Sequence, residues 1–532
     1  MRDFESYYAA GATWDEGTDP YSTAIWRVER TIPGVNLSRL EILPFVGPPL
    51  GLPLWGALAR LPYPQAAATW ATVLATLLAL SLALIWRFSR GRFNLLATLG
   101  LIVLALSFGP ITSDLALGQV ALAAFACVLL SVALTLAERT RLQDRLGAIV
   151  AAVLAALQPN IALILIARVG RRPMVAIYAI ALAIFVTLCT LFGGWNALPA
   201  YLHLLMEHGA AERFSLIQIT PASIAYGFGL SPRIAFSIGV IAALIGIAVW
   251  MCARLSLRRR AGSYENARRN GTIPMLGLSC ALLPFAVGFF HEHDLLILML
   301  PALYCCTHLR DRVWQLAAFA TLLVAIDWLG LAQRPDGALQ SGLLALSALC
   351  AYGSLARARV RALALPAVAI LLMIVCGAIA QTHPAPIWPD TLHLPTSLLT
   401  TAPLSQIWQQ EQRSSGLLAP NAFWASLRLL SLLGCALLAY CTVLAAKHEH
   451  PSASRLSTRD RGRGLFALVN NVAVAVRVIT ESHVTDRRLH RIGYLGAVRA
   501  NLCDRCSGVA DDKHHAARIT LAVPKPEVPA VR

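Results

Sequence analysis

The chain has 532 residues, of which 57% are hydrophobic and only 14% charged, against roughly 25% charged in a soluble domain. So much apolar surface cannot be hidden in water, which excludes a soluble globular enzyme. The formal charge of +17 is spread in short clusters between apolar runs, which argues against a nucleic-acid stripe and matches the basic loops of a membrane protein.

A bilayer core about 30 Å thick is crossed by about 20 apolar residues of helix. In chain order such stretches fall at 65–86, 94–110, 119–137, 173–193, 233–253, 272–290, 294–309, 313–331, 338–356, 362–381 and 423–446. The stretch 147–167 is apolar too, but Gln158-Pro159-Asn160 interrupts it, and proline removes a helix donor. The predicted fold is all-α: a polytopic transmembrane helical bundle of about eleven crossings with one re-entrant or broken segment. Three regions follow from it: an extracytoplasmic loop and interfacial segment at 1–64, a membrane domain at 65–446 and a basic cytoplasmic tail at 447–532.

Arginines orient the bundle, because cytoplasmic loops are enriched in them. Arg87, Arg90 and Arg92, then Arg139, Arg141 and Arg145, then the cluster Arg254 to Arg269, then Arg310 with Arg312, then Arg357, Arg359 and Arg361 share one side if 147–167 enters and returns without crossing. Arg168, Arg171 and Arg172 then join them. The outer segments are therefore 1–64, 111–118, 194–232, the turn 290–294, 332–337 and 382–422.

No cleavable signal peptide is visible at Met1-Arg2-Asp3-Phe4, which lacks an apolar core segment. The tail is rich in Arg, Ser and His, with weak apolar periodicity, and is expected to be disordered or loosely attached to the cytoplasmic leaflet. Ten of the twelve cysteines lie in or beside apolar stretches and read as small packing residues; Cys503 and Cys506, with His514 and His515, fit no common zinc spacing.

Three separately encoded polar segments converge on the deduced outer face. The first holds Asp3, Glu5, Asp15, Glu16 and Asp19 beside Tyr7, Tyr8, Trp14 and Tyr21. Rings stack on sugars and a carboxylate takes a proton, although a solvated loop has the same composition. The second is Phe290-His291-Glu292-His293-Asp294 between two apolar stretches; ionisable residues at a membrane boundary are expensive and mark a site. His291 and His293 fit hydrogen bonds to a phosphate or sugar better than a metal, for which a third ligand is lacking. In the third, Thr112 to Gln119, the Gln119 amide sits where a helix begins, and Asp114 reads equally as a ligand contact or a helix cap. His203, Glu207 and His208 read as interfacial.

At these residues the chain resembles glycosyltransferase family 87, the polyprenol-phosphate-mannose-dependent mannosyltransferase-like membrane enzymes of the GT-C class. The resemblance rests on Asp3-Phe4, Tyr7-Tyr8-Ala9-Ala10-Gly11 and Gly17-Thr18-Asp19-Pro20-Tyr21, on Pro48-Pro49-Leu50, on Gly118-Gln119-Val120 and on His291-Glu292-His293-Asp294-Leu295-Leu296, in order over residues 1–310. It implies a multi-pass protein of the bacterial inner or plasma membrane that inverts a sugar as it passes it, outside the cytoplasm, from a polyprenyl-phosphate donor to a glycan or glycolipid hydroxyl. No cofactor or metal is implied; membrane lipids are partners and nucleic acid is not. Asp3 would be the catalytic base. His291 and His293 would steady the donor phosphate, Asp294 would make a sugar or structural hydrogen bond, and Tyr7, Tyr8, Asp19, Tyr21, Asp114 and Gln119 would complete the substrate site.

The chain departs from the family pattern in three places: Gln158-Pro159 replaces a common Lys-Pro, Ala121 replaces Asn, and Gly47 replaces the Tyr before Pro48. The family normally has one helix before the loop that carries the base, so a first membrane helix is expected to be missing here. A lipid-linked-sugar flippase is the competing reading. It needs a polar path through the bilayer, whereas the mid-span positions, Asp327 excepted, are almost uncharged. A truncated, inactive family member is the third.

Overall fold

Runs of Leu, Ala, Ile and Val without charges form helices because every backbone donor and acceptor is then satisfied within the segment, the one arrangement an apolar medium allows a single strand of chain. The computed structural model describes residues 1–32, 43–89, 95–136, 141–169, 172–260, 271–309, 311–328, 342–348, 364–383 and 402–448. Within them the order is α1 (Arg2–Asp15), α2 (Ala24–Glu29), α3 (Leu52–Ala59), α4 (Tyr63–Ser89), α5 (Leu95–Leu106), α6 (Gly109–Leu117), α7 (Ala121–Thr135), α8 (Leu142–Ala155), α9 (Pro159–Ala162) and α10 (Arg172–Gly193). There follow α11 (Ala197–Glu212), α12 (Pro221–Gly227), α13 (Pro232–Arg260), α14 (Thr272–Ala286), α15 (Met299–His308), α16 (Asp311–Leu323), α17 (Ala364–Thr382), α18 (Leu404–Ser414) and α19 (Ala422–His448). Short 3₁₀ turns precede α3, follow α9 and precede α15.

Among the described residues four helices are long and apolar enough to cross a membrane: Tyr63–Ser89, Pro173–Gly193, Pro232–Leu257 and Ala422–Lys447. The pair α5 and α6, bent by 47°, makes a fifth if taken as one span. Only 11% of the apolar window of α13 is buried within the protein, so Phe236, Ile241, Leu244 and Ile245 are exposed. A helix apolar on every side and uncovered by protein needs an apolar solvent. By contrast α7 and α14, at 15 residues each, are about 22 Å long at 1.5 Å per residue and are almost wholly buried. The expected stretches 119–137 and 272–290 thus form core helices shorter than the hydrocarbon layer. The stretch 332–337, most of 338–356 and of 382–401, and the tail from 449 lie outside the described residues.

The first 32 residues, expected as an outer loop, are instead mostly helix. Phe4, Tyr7 and Gly11 recur at helical spacing, and α1 buries that face on α3 and the start of α4. Phe4 stacks on Trp70 with ring centroids 6.4 Å apart, and Tyr7 on Trp55 at 4.8 Å. The crossing requires glycine: a Cβ on Gly11 would stand 2.2 Å from the Trp55 carbonyl carbon.

The interrupted stretch 147–167 turns back on itself. The helix α8 runs antiparallel to α7, with Ser131 donating to the Ala148 carbonyl at 3.0 Å, and it stops before Gln158-Pro159. At the apex, Asn160 reaches Asp294. The returning limb ends in buried Arg168, which donates to the Thr135 carbonyl at 3.0 Å and to the Thr272 hydroxyl at 2.9 Å. Those are the ends of α7 and α14 remote from the 290–294 turn. Ile161, Ile164, Leu165 and Arg168 are buried on this irregular limb, which fits the rule that non-helical backbone in a membrane protein packs on protein.

Candidate active site

The bend between α6 and α7 sets the first side chain. Gly118 adopts φ +77° as the left-handed cap of α6, the conformation glycine takes most cheaply, and Gln119 emerges beside it. Tyr7 donates its hydroxyl to Gln119 Oε1 at 2.8 Å. That fixes the amide, so its Nε2 must face Asp3 and donates to Asp3 Oδ2. The other Asp3 oxygen has no hydrogen-bond partner among the described residues. Burial pushes the Asp3 carboxyl above its ordinary value, against the opposing pull of Arg2 and the Gln119 hydrogen bond.

The 290–294 turn arrives at the same place. It pairs with the segment after α11: Ile219 donates to the Phe290 carbonyl at 2.7 Å, and the Phe290 amide donates to Gln218 Oε1 at 2.7 Å. Asp294 closes the turn by accepting the His291 amide at 3.0 Å, and it also accepts from Asn160 at 3.1 Å and Gln158 at 3.4 Å. Fully buried and surrounded by protein donors, Asp294 is an anchor of the turn and does not line the cavity in front of it.

That cavity, about 220 Å³, is lined by Asp3, Tyr7, Gln119, His291 and His293, with Arg2, Gln158, Glu212, Glu292, Asp327 and Trp408 completing its polar wall. On one side Glu212 accepts from Gln218 Nε2 at 2.7 Å, from His291 Nε2 at 2.9 Å and from Trp408 Nε1, and lies 3.3 Å from His208 Nε2. Burial alone would raise the Glu212 carboxyl, but His208 and His291 outweigh it and hold it well below the usual range. Burial likewise works against charge on His291, and Glu212, then Asp294 and Asp3, reverse it and raise the imidazole above its ordinary value. His293 moves the other way, lowered by burial and then by the charge of His291.

On the other side Glu292 accepts the Trp328 amide at 2.8 Å, and its second oxygen lies 3.8 Å from Arg428 Nη2. Arg428, buried on α19, also donates to the Gln218 carbonyl at 3.0 Å. Burial and the neighbouring Asp327 raise the Glu292 carboxyl, as expected of two carboxyls facing one cation.

Five of the expected residues, Asp3, Tyr7, Gln119, His291 and His293, therefore share one cavity. The other five, Asp294 behind the turn with Tyr8, Asp19, Tyr21 and Asp114, do not line it. Tyr8 donates to the Leu61 carbonyl at 2.9 Å, Tyr21 to the Gly47 carbonyl at 3.0 Å, and Asp19 accepts the Tyr21 amide in a local turn. Asp114 is fully buried and accepts the Leu122 amide at 3.2 Å, so its place is at the start of α7, as a cap. Glu212, Gln218, Trp408 and Arg428 carry no expectation from the sequence, Asn160 only that of a break, and Gln158 that of a break and of a departure from the family's Lys-Pro. His208, taken as interfacial, lines the cavity. The signals were present: Glu212 stands four residues after His208, and Arg428 is a lone cation in an apolar stretch, which is a site marker in itself.

The model of glycosyltransferase family 87 matches residues 45–284. No curated protein and no solved structure matches the chain. The matched region holds Gln119, Gln158, Asn160, Glu212 and Gln218 and leaves Asp3, Tyr7 and the 290–294 turn outside its ends.

Proposed function

We propose that this chain, whose residues 45–284 match the model of glycosyltransferase family 87, is a membrane glycosyltransferase that transfers mannose from a polyprenyl-phosphate donor to an acceptor hydroxyl. The transfer takes place on the extracytoplasmic face of the cell membrane and inverts the anomeric centre. The observation that carries this reading is the meeting of Asp3 with His291 and His293 in one cavity, although they lie far apart along the chain. The proposed topology keeps about eleven crossings, with this cavity at the outer boundary.

A lipid-phosphate sugar brings its own leaving group. The bond from the anomeric carbon to the phosphate oxygen breaks with its electron pair passing to the phosphate, while the acceptor oxygen forms the new bond and yields its proton to Asp3. Gln119 holds one Asp3 oxygen and leaves the other for the acceptor, and burial makes the carboxylate a stronger base than one in water. A charged His291 compensates the phosphate, with neutral His293 as a hydrogen-bonding neighbour; Arg2 lines the same space. The volume is below the roughly 300–1,000 Å³ that drug-sized ligands occupy. It suits one sugar unit and its phosphate, with the lipid chain and the rest of the acceptor outside.

The test is transfer by the purified protein with a panel of polyprenyl-phosphate sugars and the anomeric configuration of the product. Turnover with the mannosyl donor and an inverted product support the reading. Turnover with nucleotide sugars alone, or retention of configuration, would overturn it.

A further inference from the structure

The walls of the cavity hold a carboxylate whose hydrogen bonds fix the state of its neighbour. Glu212 Oε1 faces His208 Nε2 and Trp408 Nε1, and Oε2 faces Gln218 Nε2 and His291 Nε2. Trp408 Nε1 can only donate, to Oε1, and Gln218 Nε2 donates to Oε2; a carboxylate, with about four acceptor sites, takes both and has sites left for the two imidazole nitrogens. The Gln218 amide cannot turn over, because its Oε1 is held by the Phe290 amide. Its Nε2 therefore donates, and it lies 2.7 Å from Glu212 Oε2 and 2.8 Å from His291 Nε2. Were His291 Nε2 bare, its lone pair would stand 2.9 Å from a carboxylate oxygen. A proton on Nε2 turns that contact into a hydrogen bond, at the expense of the 2.8 Å approach to the Gln218 amino group, and leaves Nδ1, which bonds no described residue, as the second nitrogen of a ring that lines the cavity.

We propose that Glu212, together with Gln218, is a positioning residue that commits His291 to a proton on Nε2 and to a positive charge, so that Nδ1–H is offered to the anionic headgroup of the donor. This deepens the glycosyl-transfer reading, on which its functional part rests. A buried anion such as Glu212 needs a cation in contact, and a ring so paired stays charged through neutral pH. The other ionisable groups around His291 are Asp294, His293 and Glu292 of its own turn, Asp3 and Arg2 of α1, His208 of α11 and Asp327. Glu212 touches no substrate in this scheme.

The experiment is nitrogen NMR of the full chain, labelled with ¹⁵N-histidine and held in lipid nanodiscs, with the His291 ring assigned by its loss in His291→Asn. Both ring nitrogens protonated at pH 7 is the expected result; a neutral ring, or a bare Nε2, overturns the proposal. This spectrum needs no turnover, so it stands or falls apart from the transfer assay, and it needs no Glu212 variant to fold. Where transfer is measurable, Glu212→Gln raises the donor KM about tenfold, the scale of one charge-assisted hydrogen bond, with a smaller change in kcat. In His291→Asn the same substitution adds nothing further. Additive losses in the two backgrounds would make Glu212 a packing residue only.

Discussion

Replacing Arg428 by Met removes the cation that faces Glu292 and Asp327 while keeping a long apolar stem in α19. Breaking a buried pair from one side costs about 3–5 kcal/mol, because the partner charge stays behind. Here the separation from Glu292 is 3.8 Å, so the loss falls at the lower end, about 3 kcal/mol. The lost bond to the Gln218 carbonyl adds about 1 kcal/mol. At roughly 2–4 °C per kcal/mol the melting temperature in detergent falls by about 10 °C. Glu292 already has a raised proton affinity, so protonation relieves the stranded charge, and the penalty at pH 8 exceeds that at pH 5. Glu292→Gln in the same chain restores most of the loss. An unchanged melting temperature in Arg428→Met, or no rescue by the second substitution, would refute the claim that these charges are coupled.

Gly11→Val pushes a branched side chain into the Trp55 backbone; transfer is lost and limited proteolysis of α1 becomes faster than in Gly11→Ala. Asn160→Ala removes one of the donors to Asp294 and destabilises by about 1 kcal/mol, read as a lowered melting temperature with a higher donor KM. The Glu212–His291 pair sets a stability window. The raised His291 contributes in full below its ordinary value of 6.5 and fades as pH rises through the higher folded value, whereas the depressed Glu212 contributes above 4.5 and fades as pH falls through the lower one. A melting-temperature profile of wild type against Glu212→Gln shows a difference that is widest between those edges; a difference independent of pH would remove the pair as its source.

Composition was enough to read an all-helical membrane protein, and polarity against an apolar background singled out the segments that carry Asp3, Tyr7, Gln119, His291 and His293. Such residues are costly to place at a membrane boundary, so they stand out one by one. Tyr8, Asp19 and Tyr21 carry the same local signal as Tyr7; the packing of α1 turns Tyr8 away from the cavity, and Asp19 and Tyr21 lie past the end of that helix. Glu212 and Glu207 lie on one helix and look alike in sequence; the fold buries the first against His291 and leaves the second beside Ser405 at its surface. Apolar length could not tell the buried helices α7 and α14 from lipid-facing ones, because both draw on the same residues. The proline at 159 did announce the break, and its polar flanks turned out to serve the site, holding Asp294 from behind.

The central claim is that this cavity performs sugar transfer with Asp3 as base. The direct measurement is transfer from polyprenyl-phosphate mannose by the reconstituted protein and by Asp3→Asn, with melting temperatures recorded for both. The expected result is a loss of at least about 10²-fold, the scale of a positioned general base, at an unchanged melting temperature. A variant that folds and transfers at the wild-type rate would contradict it.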